Sequence, residues 1–270
     1  MTKIFGNARG AALSVLAFTY VSCSAADAAA LLSYSQNFDS MGTSTRAIFN
    51  AGVLNRQGRI DGLDGRWWAG RIGGVSSSVL YAAADDGSSI FGGIRNVGVT
   101  GGSDRSLGSL ADSSTSAAFG IQIFNISGST ATSVTISFLA EQWRSSTVSQ
   151  RRLLFAYGFG ATAPGSSSIS SSNFLSSSAM TRNANGDVVG AAPVLTNGPL
   201  SSPTSNLVTI TLSNVNWQVG QELFIRWQDL DDVGYGATLA IDNFTLTAVP
   251  APGAAALICA AGLLGRRRRA

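Results

Sequence analysis

A chain of 270 residues, 45 % hydrophobic and 12 % charged, has room for one β domain with sorting segments at its ends. Its formal charge of +3 comes from those ends: between Leu31 and Ala248, twelve arginines face fourteen carboxylates, a net charge near −2, so the body has no Lys/Arg stripe of the kind that binds nucleic acid. There is no histidine, the single lysine is Lys3, and both cysteines, Cys23 and Cys259, lie in terminal apolar runs, which excludes from the body Ser-His-Asp, Cys-His and Ser-Lys catalysis, Schiff-base chemistry, His- or Cys-ligated zinc and internal disulfides.

At the N-terminus, Lys3 and Arg9 precede an apolar stretch from Ala11 to Val21 and the small-residue run SCSAADAAA. That order of charge, apolar core and small residues predicts a secretory signal helix over 1–30, cut after Ala30 or at Ala26. A permanent anchor would need about 20 apolar residues, and lipidation at Cys23 would want a leucine three residues earlier, where Tyr20 stands.

The body, 31–248, begins with SYSQNFDS, a first strand. DGRWWAGR follows, read as a loop in which Trp67 and Trp68 cannot both be buried, so that one ring is free to stack on a sugar. The glycine-rich stretches at Gly70–Gly74 and Gly92–Gly102 lack the Gly-Lys-Ser/Thr ending of a phosphate loop. Period-two runs then recur: Phe119/Ile121/Ile123, Val134/Ile136/Phe138/Ala140, Leu153/Phe155/Tyr157/Phe159, Val208/Ile210/Leu212 and Leu223/Ile225/Trp227. With no helical spacers among them they predict an all-β fold, an antiparallel, jelly-roll-like β-sandwich. Trp143 and Trp227 fall within these runs and are assigned to the core. SSSISSSNFLSSS, from Ser166 to Ser178, reads as an exposed low-complexity loop, and Asn185-Gly186-Asp187 as a turn.

Three sets of residues are candidates for chemistry. Asp229, Asp231 and Asp232 in QDLDDVGYG, with Asp242 or Asp39 added if first and last strands are neighbours, offer the oxygen ligands that Ca²⁺ needs; the alternative is a solvated turn that guards a sheet edge. Glu141 and Glu222 are the only glutamates, so a carboxylate-only glycoside hydrolase would draw on them or on Asp, whereas Glu141 and Arg226 read as a charge pair on neighbouring strands. Trp67 and Trp68 are the candidate carbohydrate platform. In the closing strand TLAIDNFTL the apolar phase moves from Leu239 and Ile241 to Phe244 and Leu246, which predicts a bulge at Asp242-Asn243. This pair of opening and closing strands is similar to the first and last strands of secreted jelly-roll modules.

The tail, 249–270, reads Val249-Pro250-Ala251-Pro252-Gly253, an apolar run from Ala254 to Leu264, and Arg266, Arg267, Arg268 and Arg269 before the final alanine. The run is of marginal length for a transmembrane helix, and the arginines stay cytoplasmic by the positive-inside rule. This layout resembles the PEP-CTERM sorting signal of exported bacterial proteins, with Ala251 where the motif has Glu. The resemblance implies recognition by an exosortase-type membrane protease, transient anchoring in the cytoplasmic membrane, and a non-enzymatic structural or adhesive role at the cell surface or in an exopolysaccharide matrix. A carbohydrate-binding module is the alternative function. Neither reading requires a cofactor other than the candidate calcium.

Overall fold

In a computed structural model, the described residues are 32–49, 57–74, 81–113, 115–161, 169–230 and 236–251. The helices expected at the two ends, together with Pro252 and the four terminal arginines, lie outside them. Among the described residues no helix is long and apolar enough to cross a membrane, and helical structure is limited to single turns at Asp39–Met41 and Ala184–Gly186.

The all-β expectation holds. Among the described residues, fifteen strands form one continuous sheet that curls into two layers. The first layer runs from β13 (Pro199–Trp217) through β9 (Ala131–Arg144) to β15 (Leu239–Pro250). It continues with β1 (Leu32–Gln36) and β7 (Ser106–Leu110) end to end along the far side of β15, then β6 (Gly93–Val97) and β5 (Tyr81–Asp85). The second runs from β2 (Arg46–Phe49) through β3 (Gln57–Ile60), β4 (Trp67–Gly74), β8 (Thr115–Phe124) and β14 (Glu222–Asp229) to β10 (Arg152–Phe159), which carries the two-residue strands β11 (Thr181–Arg182) and β12 (Val188–Val189). Pairing of β2 with β5 joins the two layers. Every pair is antiparallel except β5 with β6, a departure from the purely antiparallel expectation. The first and last strands are neighbours, with Tyr34 opposite Leu246. Strand β15 continues through Val249, opposite Ser133, to Pro250, opposite Ala131, and the Ala251 amide donates to the Thr130 carbonyl at 2.7 Å. The sheet thus takes in the first residues of the tail segment.

Alternation builds the core. In β9, Val134, Ile136, Phe138 and Ala140 are buried while Thr135, Ser137, Leu139 and Glu141 face outward, half-exposed. The inward side chains of both layers meet around Trp227, whose ring lies 5.1 Å from Phe138, 5.5 Å from Phe155 and 5.8 Å from Phe119. Such aromatic contacts add to the burial of apolar area that stabilises the fold. The predicted bulge in β15 is present: its register against β9 shifts between Asp242 and Thr245. Asn243 takes φ +50° there, a conformation that a short amide side chain tolerates.

One expectation is overturned. From Ile169 onward the serine-rich segment is not an exposed loop. Phe174 and Leu175 are completely buried against the outer face of the second layer, with Ala118, Ala156, Met180 and Phe224. That face is floored by small residues, so the Phe174 ring settles over Gly120 and stacks on Phe224 at 5.0 Å. Gln57, Arg226 and Gln228 hold the segment by donating to the carbonyls of Ser171, of Phe174 and Ser177, and of Leu175, at 2.8–2.9 Å.

Candidate functional site

The tryptophan pair belongs to strand β4 and not to a loop, and period-two alternation sends its members to opposite faces. Trp67 is fully buried: its Nε1 donates to the Tyr34 hydroxyl at 2.9 Å, and its ring meets Phe38 and Phe244 edge-on at 4.7 and 5.2 Å. It cannot stack on a ligand, so the pair forms no exposed platform. Trp68 lies on the outer face, partly covered, with the Arg59 guanidinium 5.3 Å over its ring and the edge of Phe174 at 6.3 Å.

The acidic candidates are likewise separated. Asp229 is buried in β14, accepts from Ser109 Oγ at 2.8 Å and is pushed up to about 7 by burial. Asp242, at the bulge, is pushed up to about 7 by burial and by the carboxylates of Glu141, Asp104 and Asp39. Its Oδ2 accepts from Asn243 Nδ2 at 2.9 Å, while its Oδ1 is buried without a hydrogen bond. Asp231 and Asp232 lie outside the described residues, and among those described no three acidic, His or Cys side chains converge to hold a metal.

Glu141 and Arg226 do not form the expected charge pair. Glu141 stands in the first layer and accepts from Ser106 Oγ and, at 2.8 Å, from Trp143 Nε1; Arg226 stands in the second and is bound to the two carbonyls of the serine-rich segment. Strand order along the curl, invisible in local spacing, puts them in different layers. Glu222, on β14, accepts from Gln122 Nε2 at 2.6 Å, so the two glutamates available to a hydrolase stand on different layers, each held by its own donors.

The structure brings together a different set of residues. The parallel pair β5/β6 forces a crossing connection over 86–92, and that loop is braced by hydrogen bonds to its flanks. Asp85 Oδ1 accepts the amides of Gly87 and Ser89 at 3.0 and 3.1 Å, Asp86 accepts from the Ser88 amide and from Thr100 Oγ1, and the Gly92 amide donates to Asp112 Oδ2 at 2.7 Å. A Cβ on Gly92 would lie 2.6 Å from the Asp112 carboxyl carbon, so any larger residue there would have to displace the carboxylate that accepts from this amide. The loop presents Phe91, 74 % exposed, beside Tyr81, 45 % exposed. Together with Ala83, Gly92, Gly93, Ile94 and Arg95 they line a cleft of about 250 Å³. Arg95, in the cleft wall, is paired with Asp85 at 3.5 Å and also donates to the Phe91 carbonyl; burial lowers its pKa while Asp85 opposes that fall. On the other flank of the loop a polar pocket of about 350 Å³ is lined by Thr43, Asp85, Asp86, Ser88, Ser89, Thr100 and Arg105 among others. Burial lowers the Arg105 pKa, and its Nε donates to Asn96 Oδ1 at 2.9 Å. An aromatic-rimmed cleft next to a pocket of hydroxyls and carboxylates can grip a polyhydroxylated ring by stacking and by hydrogen bonds. The sequence carried one sign of it: in SSIFGG a large apolar pair stands among Ser and Gly with no alternating partners.

No family model and no curated protein matches the chain. Partial superpositions exist with solved carbohydrate-binding proteins. A xylan-binding domain from Paenibacillus barcinonensis gives a TM-score of 0.34 at 10 % identity, over 75 % of this chain and 98 % of that one. The xylan-binding module CBM15 gives 0.33 at 12 % identity, over 74 % and 100 %. A module solved with β-1,4-galactotriose gives 0.28 at 10 % identity, over 53 % and 70 %. Likeness at this level transfers no ligand and no residue role to this chain.

Proposed function

We propose that this protein is a non-catalytic glycan-binding β domain displayed outside the cell, with the Tyr81–Phe91 cleft as its binding site. The observation that carries the reading is the exposure of Phe91 and Tyr81 at the rim of one cleft. Large apolar rings held in water at a braced loop gain by covering a sugar face, and the adjoining hydroxyls and the Asp86 carboxylate set its orientation. A non-enzymatic role is supported by the lack of histidine, by Lys3 being the single lysine, and by the separate locations of Glu141 and Glu222. The leader and the PEP-CTERM-like tail support delivery to the cell surface or an exopolysaccharide matrix, through an exosortase-type partner.

Glycan-array screening of the purified chain tests the site. Binding that falls at least about tenfold in a Tyr81→Ala/Phe91→Ala variant, and is retained in Trp68→Ala, is the expected result; a tenfold loss corresponds to about 1.4 kcal/mol. Equal binding by the Tyr81/Phe91 variant and the parent rejects the cleft, and glycan cleavage abolished by Glu141→Gln rejects the non-catalytic assignment. Mass spectrometry of the C-terminus of the cell-derived protein tests the sorting assignment.

A further inference from the structure

The two ends of the curled sheet are built differently. At one end β10 is covered by β11 and β12, two residues each, with Arg182 paired to Asp187 beside them. Short strands and a fixed charge are the usual means of keeping a sheet edge from adding another chain. At the other end stands β13, which among the described residues pairs only with β9. Its register against β9 runs without a break from Thr204 to Ser213, between shifts at either side. The whole stretch from Val188 to Gln221 carries no charged residue, and Pro199 and Pro203 interrupt only the beginning of the strand. Ser205, Leu207, Thr209 and Thr211 are exposed, Leu207 by 71 %. A long, neutral strand rich in β-branched residues, with one row of its amides and carbonyls unpaired by any strand among the described residues, is a template for pairing.

We infer that the free edge of β13 is an interface at which two copies of this chain pair antiparallel, joining their first layers into one sheet. Three features select a second copy of the chain as the occupant. A strand paired antiparallel with itself across a two-fold axis is self-complementary, and neutrality along Thr204–Ser213 removes the like-charge repulsion that normally forbids this. Residues directly opposite must face the same way, so the axis passes through a residue position. With the axis at Thr209, Leu207 meets Thr211 on the outer face, and Ile210 meets Val208 on the core side. Finally, an isologous contact occupies the same edge on both copies, so it closes at a dimer instead of extending into a fibre.

Light scattering on the full-length chain, purified with both ends intact in mild detergent, tests the inference alongside Thr209→Lys and Thr209→Ser. The lysine places two ammonium groups opposite each other at the axis, whereas serine preserves the pairing. Dimeric parent and serine variant, with a lysine variant whose dimer dissociation constant rises at least about tenfold at unchanged circular dichroism, is the expected outcome. Leu207→Lys is the second edge variant should Thr209→Lys fold poorly. Amide hydrogen exchange across 204–213 must slow on dimerisation. A monomeric parent, or dimers that persist in both lysine variants with fast exchange along β13, overturns the inference. Glycan binding measured per protomer is independent of this outcome, so failure of the interface leaves the Tyr81–Phe91 assignment untouched.

Discussion

Arg95 and Asp85 form an ion pair at 3.5 Å in which both side chains are nearly inaccessible to water, 7 % and 2 % exposed. The pair links the two strands of the parallel unit, and the same aspartate caps the loop that carries Phe91. Removing one partner of a buried pair leaves the other charged and unsolvated. Asp85→Ala is therefore expected to destabilise the domain by about 3–5 kcal/mol and to abolish glycan binding under conditions where the protein is still folded. Urea unfolding followed by intrinsic fluorescence gives the first quantity. Binding that survives in folded Asp85→Ala shows that the loop keeps its shape without this cap.

The two adjacent tryptophans should respond in opposite ways. Trp67→Ala empties the centre of the core and removes the donor to Tyr34, a change that costs about 3–5 kcal/mol. Trp68→Ala removes a ring that is partly exposed and packed on one side by Phe174; the loss stays below about 2 kcal/mol, short of the transfer value for a fully buried large side chain. Thermal melts of the two variants decide the matter. Equal losses would mean that Trp68 is as deeply embedded as its neighbour.

What the sequence revealed and what it hid divide along a physical line. Strands β9, β10 and β14 are legible because each turns one apolar row of side chains to the core, which imprints a period of two, and the bulge at Asp242-Asn243 is legible as a break in that period. Trp67-Trp68 was misread because Gly and Arg on both sides resemble a loop, although the alternation continues through Gly120 and Arg226 on adjacent strands. Phe174 and Leu175 were hidden by serine composition: two anchors suffice to seat a segment on a glycine-floored face, and composition averages them away. Layer membership, which separates Glu141 from Arg226 and places Tyr81 beside Phe91, depends on strand order, and no local pattern encodes that.

Asp229 and Asp242 give stability a defined pH dependence. Both carboxyl groups titrate near pH 7 in the folded chain, raised from 3.8, so between those values the native state holds protons that the unfolded state has released. Stability from these groups is thus complete at acid pH, declines as pH rises through the range from about 4 to about 7 and is flat above it. The groups near Asp242 are the carboxylates of Glu141, Asp104 and Asp39, whereas Arg151 faces Asp229. Asp242→Asn removes its share of the slope and is expected to be more stable than the parent at pH 8 by roughly 1–3 kcal/mol, the scale of an uncompensated buried polar group. Melting temperatures from pH 4 to pH 8 measure this. A parent whose melting temperature rises steadily with pH would contradict the assignment of both groups.

Gly120 tests whether the serine-rich segment belongs to the fold. A Cβ at this position would lie 2.1 Å from the Ile225 carbonyl oxygen and 3.0 Å from the Phe174 ring, so Gly120→Ala must push apart β8 and β14 and also crowd the segment. Overpacking of this kind costs about 1–3 kcal/mol. Phe174→Ala instead leaves a cavity beside Phe224, at about 3–5 kcal/mol. Because the two positions are in contact, removing the ring relieves its part of the clash while the backbone part persists, so the double variant should lose less than the sum of both, by a coupling of about 0.5 kcal/mol or more. A double variant no worse than Phe174→Ala would show that β8 and β14 absorb the methyl group once the ring withdraws, and that the segment, more than the strand pair, sets the tolerance at Gly120.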